Sequence, residues 1–230
     1  MQQLSLQILA QPNDTTCGPT CLHAVYAYYG RTIDLAAVID EVVDLPEGGT
    51  LAVWLGKHAL AQGFRVTIQT CNLQLFDPSW FRDGVDLEER LRLQAEHKAD
   101  SRLREATRAH LEFLEAGGQL RFGHLKPETI YANHRRGVPL ITGLSATYLY
   151  DEPREEFNKP NDIEGHPSGH FVVLAGSDPE QDRVLIADPL KDEPGNRDHY
   201  YWVEADRLSA AILLGVLTYD ASVLVIEPAL

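Results

Sequence analysis

The run Gln11-Pro12-Asn13-Asp14-Thr15-Thr16-Cys17-Gly18-Pro19-Thr20-Cys21 constrains this chain more than any other stretch. Pro19 suits a first helical turn, so the run predicts a loop that delivers Cys17 to the start of a helix ending at Gly30. A helix N-terminus carries unpaired N–H groups and partial positive charge, which favours a thiolate. Gly18 is expected to leave the thiol uncrowded, and the Cys17 N–H and the Gln11 amide are expected to converge on one oxyanion.

The groups that such a thiol needs lie far along the chain. His170 opens the apolar run Gly169-His170-Phe171-Val172-Val173-Leu174, and Asp188 closes the next one, Val184-Leu185-Ile186-Ala187-Asp188. The turn-forming stretch Ser177-Asp178-Pro179-Glu180-Gln181-Asp182 between them predicts two adjacent antiparallel strands. An imidazole within reach takes the thiol's proton, and a carboxylate fixes the tautomer and supports the charge. His166 and Asp178 are the alternatives to His170 and Asp188; His166 sits in a loop and Asp178 in the turn. Cys21 and Cys71 are expected to be structural, and Cys17, Cys21 and His23 do not match a common zinc spacing, so no metal is expected.

Taken together, Gln11, Cys17-Gly18-Pro19, Tyr28-Tyr29-Gly30, Gly169-His170-Phe171-Val172-Val173-Leu174 and Ala187-Asp188-Pro189 resemble papain-like cysteine peptidases, in particular the peptidase C39-like group. The resemblance covers roughly residues 5–70 and 120–225. It implies an α+β papain-like fold with an N-terminal helical lobe and an antiparallel β-sheet lobe. It also implies Cys17 as nucleophile, His170 as general base and acid, Asp188 as its orienting carboxylate and Gln11 as an oxyanion donor. Gly18 and Gly169, beside the two central residues, are the substrate-binding candidates. The implied activity is a cysteine peptidase or amide hydrolase working through a thioester, with no cofactor. Two alternatives stand beside it: an acyl or peptidyl transferase on the same thioester, and an idle peptide-binding module.

The remaining sequence bounds these readings. At 230 residues the chain is most simply one papain-like domain, residues 1–230. Residues 77–118 depart from the resemblance; Leu87, Leu91, Leu103, Leu111 and Leu114 predict an inserted pair of amphipathic helices breaking near Lys98 to Ser101. The alternation at residues 3–10 predicts a strand, Thr50 an N-cap for a helix over 51–62, and the acidic stretch 151–165 a solvated loop or a lid. A net charge of −14 argues against nucleic acid and anionic membranes and leaves room for a basic peptide or amide substrate. Three cysteines cannot all pair, no stretch approaches a membrane span, and Met1 to Ala10 does not read as a signal peptide. A cytoplasmic location is therefore expected.

Overall fold

The computed structural model describes residues 1–45, 48–124, 126–190, 199–219 and 221–229. The chain opens with a short strand β1 (Gln2–Gln3), followed by helices α1 (Cys17–Tyr28), α2 (Leu35–Glu41) and α3 (Ala52–Ala61) and strand β2 (Phe64–Thr70). After a 3-10 turn at Pro78–Phe81 come α4 (Leu87–His97), α5 (Ser101–Glu115), β3 (Gln119–Phe122), α6 (Pro127–Arg135), β4 (Leu140–Ser145) and α7 (Ala146–Tyr150). A small hairpin β5 (Glu155–Glu156) and β6 (Lys159–Pro160) precedes β7 (Gly169–Asp178), β8 (Arg183–Ala187), β9 (Tyr200–Glu204), α8 (Ala205–Leu214) and β10 (Ser222–Pro228).

One sheet organises the molecule, in the order β3-β2-β10-β4-β7-β8-β9, with β1 paired beside β7. Its pairs are antiparallel except β2 with β3, so the sheet is mixed where an antiparallel one was expected. The parallel pair arises because α4 and α5 carry the chain back over the sheet before β3 begins, the long crossover that parallel strands need. The sheet also spans both halves of the chain, since β2 pairs with β10 from Phe64↔Pro228 to Thr70↔Ser222.

Two cores lie on the two faces of this sheet. Phe171, Val173 and Ala175 of β7 pack with Cys21, Leu22, Val25 and Leu55 of α1 and α3, a cluster that extends to Leu91 of α4 and Phe113 of α5. Val172 and Leu174, pointing the other way, pack with Ile130 of α6, Leu149 of α7 and Leu208 and Ile212 of α8. Helices therefore cover both faces and not one lobe alone. This double burial explains why β4 and β7 read as unbroken apolar runs and not as alternating ones. Truncating a central residue such as Leu174 to alanine would cost about 2–5 kcal/mol. Among the described residues no helix is long and apolar enough to cross a membrane.

The helix boundaries follow local chemistry. Asp34, Asp86 and Asp100 accept hydrogen bonds from the first turns of α2, α4 and α5, and Gly30 and Gly117 take left-handed conformations just past α1 and α5. Thr50 is not the N-cap of α3: Leu51 is, and the Thr50 hydroxyl donates instead to the Val43 carbonyl at 2.7 Å. The strand expected over residues 3–10 shrinks to Gln2–Gln3. Beyond it the chain is held by the Tyr200 hydroxyl, which accepts from the Ile8 N–H at 2.9 Å and donates to the Leu6 carbonyl at 3.1 Å.

Candidate active site

Cys17 is the first residue of α1 and only 8% exposed. The loop before it is tied by Asn13, whose carbonyl accepts from the Gln11 side-chain amide at 2.9 Å and from the Thr16 hydroxyl at 3.1 Å. The Asn13 side chain in turn accepts from the Thr15 N–H at 3.0 Å. This closed turn fixes where the helix begins and keeps its first N–H groups at the cleft.

Gly18 has a packing reason for being glycine. A Cβ there would lie 2.7 Å from Thr50 Cγ2, 3.2 Å from Leu55 Cδ1 and 3.3 Å from Phe171 Cδ2. The missing side chain lets α1 approach β7 closely, which brings Cys17 to the strand that carries His170. Cys21, one turn on, donates to the Phe171 carbonyl at 3.3 Å inside the core. Burial, then its neighbours Cys17 and Asp188, push the Cys21 thiol well up.

Sheet register brings His170 and Asp188 together. Val173 pairs with Ala187, so the next residue, Asp188, falls opposite Val172. Strand side chains alternate, so His170 and Asp188 share a face as diagonal neighbours. The imidazole Nε2 meets Asp188 Oδ1 at 2.8 Å, which leaves the other ring nitrogen facing away from Asp188, and Cys17 and His170 line the same groove.

Asp188 is fully buried and fully partnered. Besides His170, Oδ1 accepts from the Leu190 N–H at 3.0 Å, and Oδ2 accepts from the hydroxyls of Tyr150 and Tyr201, each at 2.6 Å. Burial works to raise this carboxyl, but the His170 charge and the hydrogen bonds from His170, Tyr150 and Tyr201 hold it down at about 2. Burial works to discharge His170, but Asp188 and then Cys17 outweigh it and lift the imidazole to about 10. The arrangement thus favours an imidazolium beside the Asp188 carboxylate.

Gln11 is joined to the same centre from the other side. Its backbone N–H donates to the Pro189 carbonyl at 2.7 Å, next to Asp188. Its side chain is 6% exposed and lines the cleft with His170; one amide hydrogen goes to Asn13 and the second is left for another acceptor.

The cleft has two halves that share Asp14, Asn158, Gly169 and His170. One half, of about 350 Å³, is lined by Gln11, Tyr150 and Ser168 with the carboxylates of Asp14, Glu152 and Glu155. The other, of about 230 Å³, is lined by Cys17, Thr50, Phe171 and Arg102. The stretch expected as a loop at 151–165 folds back on itself beside the first half. Phe157 and Asn158 form its two-residue turn, both with positive φ (52° and 57°), and Glu155 exchanges backbone hydrogen bonds with His166 at 2.8 and 3.0 Å. Asn158 donates to Asp14 at 3.3 Å, tying this hairpin to the loop that carries Cys17.

The structure therefore brings Gln11, Cys17, His170 and Gly169 to one cleft, buries Asp188 behind His170 and seats Gly18 in the packing beneath. His166 is exposed on the hairpin, and Asp178 is ion-paired with Arg183 at 3.4 Å at the far end of β7, so neither joins the centre. Tyr150, Tyr201 and Asn13 were not singled out in the sequence. Tyr201 had a signal, the Tyr200-Tyr201-Trp202 strand one place over from β8; Tyr150 had none, because its contact spans 38 residues. Among the described residues no group of three or more His, Cys, Asp or Glu side chains is placed to hold a metal ion.

No family model matches the chain, and no curated protein matches its sequence. Solved structures do. Xylellain, a cysteine protease from Xylella fastidiosa, is similar at 14% identity and a TM-score of 0.50, over 100% of this chain and 86% of that one. The peptidase domain of Streptococcus ComA, a bi-functional ABC transporter involved in a quorum sensing pathway, is similar at 14% identity and a TM-score of 0.47, over 97% of this chain and 99% of that one. A double glycine motif protease from an AMS/PCAT transporter, solved with its leader peptide, gives 14% and 0.47, over 99% and 95%. With its mixed sheet, flanking helices and xylellain's likeness over the whole length, this chain has the fold of the papain-like cysteine peptidases.

Proposed function

We propose that the protein is a cysteine peptidase or amide hydrolase that works through a thioester on Cys17. The observation that carries this reading is the buried, four-donor carboxylate of Asp188 holding His170 in the groove that Cys17 lines. A buried carboxylate with that many donors stays ionised, so the histidine keeps one orientation and its proton when the thiol gives it up.

In the proposed reaction Cys17 Sγ attacks the carbonyl carbon of the substrate amide. The oxygen takes up the electron pair beside the Cys17 N–H and the second amide hydrogen of Gln11. As the C–N bond breaks, His170 gives its proton to the departing amine. A water molecule then loses a proton to His170 and attacks the thioester, releasing the free acid and the thiol. No cofactor enters these steps. Gly169, exposed at the junction of the two half-clefts, is the place where substrate backbone runs past the dyad, and Gly18 serves by letting α1 approach.

The departing amine takes its proton from His170 and leaves through the half-cleft that His170 lines and Cys17 does not. Asp14, Glu152 and Glu155 there favour a basic amine-side residue, in keeping with the net charge of −14. Residues 77–118 are read as a helical insertion in one papain-like domain over 1–230, and the three free thiols fit a cytoplasmic protein.

The test is a screen of peptide and amide substrates with wild type and Cys17→Ala, run with and without an added primary amine. Turnover to free acid that disappears in Cys17→Ala supports the hydrolase. A new amide with the added amine identifies a transferase on the same thioester. Turnover that survives Cys17→Ala overturns the reading, because another group then does the chemistry; no turnover in either protein overturns it too and leaves a binding module.

A further inference from the structure

The half-cleft beside Cys17 contains a charge that the proposed chemistry does not use. Arg102, the second residue of α5, lines this groove together with Cys17, Thr50 and Phe171. Its guanidinium lies over the Tyr219 ring, 4.9 Å from the centroid, a stacking that holds a planar cation in place without neutralising it. Among the described residues, Asp14 is the other charged residue lining this groove apart from His170, and it accepts from Asn158. α5 itself is anchored by Asp100, which accepts from the Leu103 N–H at 2.9 Å, and by Leu103, buried in the core. The helical pair thus delivers one arginine to the nucleophile's side of the cleft.

The position of the groove says which part of a substrate meets that arginine. In the proposed chemistry the acyl group becomes bonded to Cys17 and lies in the half that Cys17 lines, whereas the amine leaves through the half that Glu152 and Glu155 line. In a chain of net charge −14 an anion is repelled on approach unless a local cation receives it. We propose that Arg102 is a specificity-determining residue that receives a carboxylate on the acyl side of the substrate, an acidic side chain or a free carboxylate, next to the bond broken at Cys17. Guanidinium and carboxylate match as a two-point, charge-assisted pair, and a neutral amide of the same shape forfeits it. The inference rests on Cys17 being the nucleophile, as proposed above.

The test uses two covalent probes that differ only in charge, the chloromethyl ketones of N-acetyl-glutamate and N-acetyl-glutamine. Their inactivation rates are followed by mass spectrometry at Cys17 in wild type, Arg102→Gln and Arg102→Lys, with iodoacetamide as a charge-blind control in the same proteins. Wild type is expected to react about tenfold faster with the acidic probe, the equivalent of roughly 1.4 kcal/mol. That preference is expected to vanish in Arg102→Gln, to survive in part in Arg102→Lys, and to weaken with added salt. Equal rates in wild type, or a preference that persists in Arg102→Gln, would overturn the proposal. Cys17 that resists iodoacetamide as well would instead bring down the nucleophile itself, and this proposal with it.

Discussion

The inner and outer walls of the cleft are built by opposite principles. The inner wall is the Asp188 hub, where one fully buried carboxylate receives His170, Leu190, Tyr150 and Tyr201, drawn from four separate segments of the chain. The outer wall is the β5–β6 hairpin, two residues per strand, with Phe157 91% exposed at its turn and Asn158 joined to Asp14 across 3.3 Å. The inner wall has low dielectric and satisfied polar groups, which makes it rigid and expensive to alter. The outer wall has solvated backbone and little apolar contact, which makes it cheap to open. The wall around Asp188 is therefore expected to resist change, and the hairpin wall to tolerate it.

Replacing Asp188 with alanine is expected to break the comparison most severely. It strands the His170 charge and two tyrosine hydroxyls in the interior, a loss of about 3–5 kcal/mol by denaturant unfolding. The effect carries a pH signature. The raised His170 contributes stability that is fully present below its usual 6.5 and is lost as pH rises through about 10. The lowered Asp188 contributes stability present above its usual 3.8 and lost as pH falls through about 2. The gap between wild type and Asp188→Ala should therefore be widest between those two usual values and should close at either extreme. A gap independent of pH would show that the pair is not charged.

Gly18→Ala should cost less, about 1–3 kcal/mol, because Leu55 and Phe171 must shift to accept a methyl group that Thr50 already crowds. The same substitution should push α1 away from β7 and slow Cys17 alkylation. Unchanged stability with unchanged reactivity would remove the packing reason for this glycine.

On the outer wall the expected effects are smallest. Phe157 holds a φ of 52°, a conformation that strains a bulky residue. Phe157→Gly relieves that strain but adds freedom to the unfolded chain, so stability should change by less than about 1 kcal/mol. A loss well above that would mean the hairpin is as tightly built as the Asp188 hub, and the contrast between the walls would fail.

The local parts of this architecture were legible in the sequence. A proline two places after Cys17 marks a helix start, Gly30 marks its end, and the apolar runs around His170 and Asp188 predict neighbouring strands whose register then meets at the cleft. The break between α4 and α5 was legible as well, because Asp100 is a capping residue before a periodic apolar pattern. What was not legible depends on contacts between distant segments. Tyr150 reaches Asp188 from the end of α7, and the α8 that covers the second face of the sheet lies in a stretch whose apolar pattern does not say which strand it packs on. Gly18 was noticed for the wrong reason: the sequence suggested room around the thiol, whereas the structure requires room for Thr50, Leu55 and Phe171. Arg102 had no local signal, since its place in the groove depends on how the helical pair lies over the sheet.

The central claim is that His170, held by Asp188, activates Cys17. Its most direct test is the rate of iodoacetamide labelling at Cys17 between about pH 5 and about pH 9, resolved by mass spectrometry in wild type and His170→Ala. Buried Cys21, its thiol pushed up by its surroundings, serves as the control within the same molecule. The account predicts rapid labelling of wild-type Cys17 at the acid end and a loss of about a hundredfold there in His170→Ala, with Cys21 silent in both. Equal rates and equal pH dependence in the two proteins would contradict it, because His170 would then do nothing to the thiol that shares its groove.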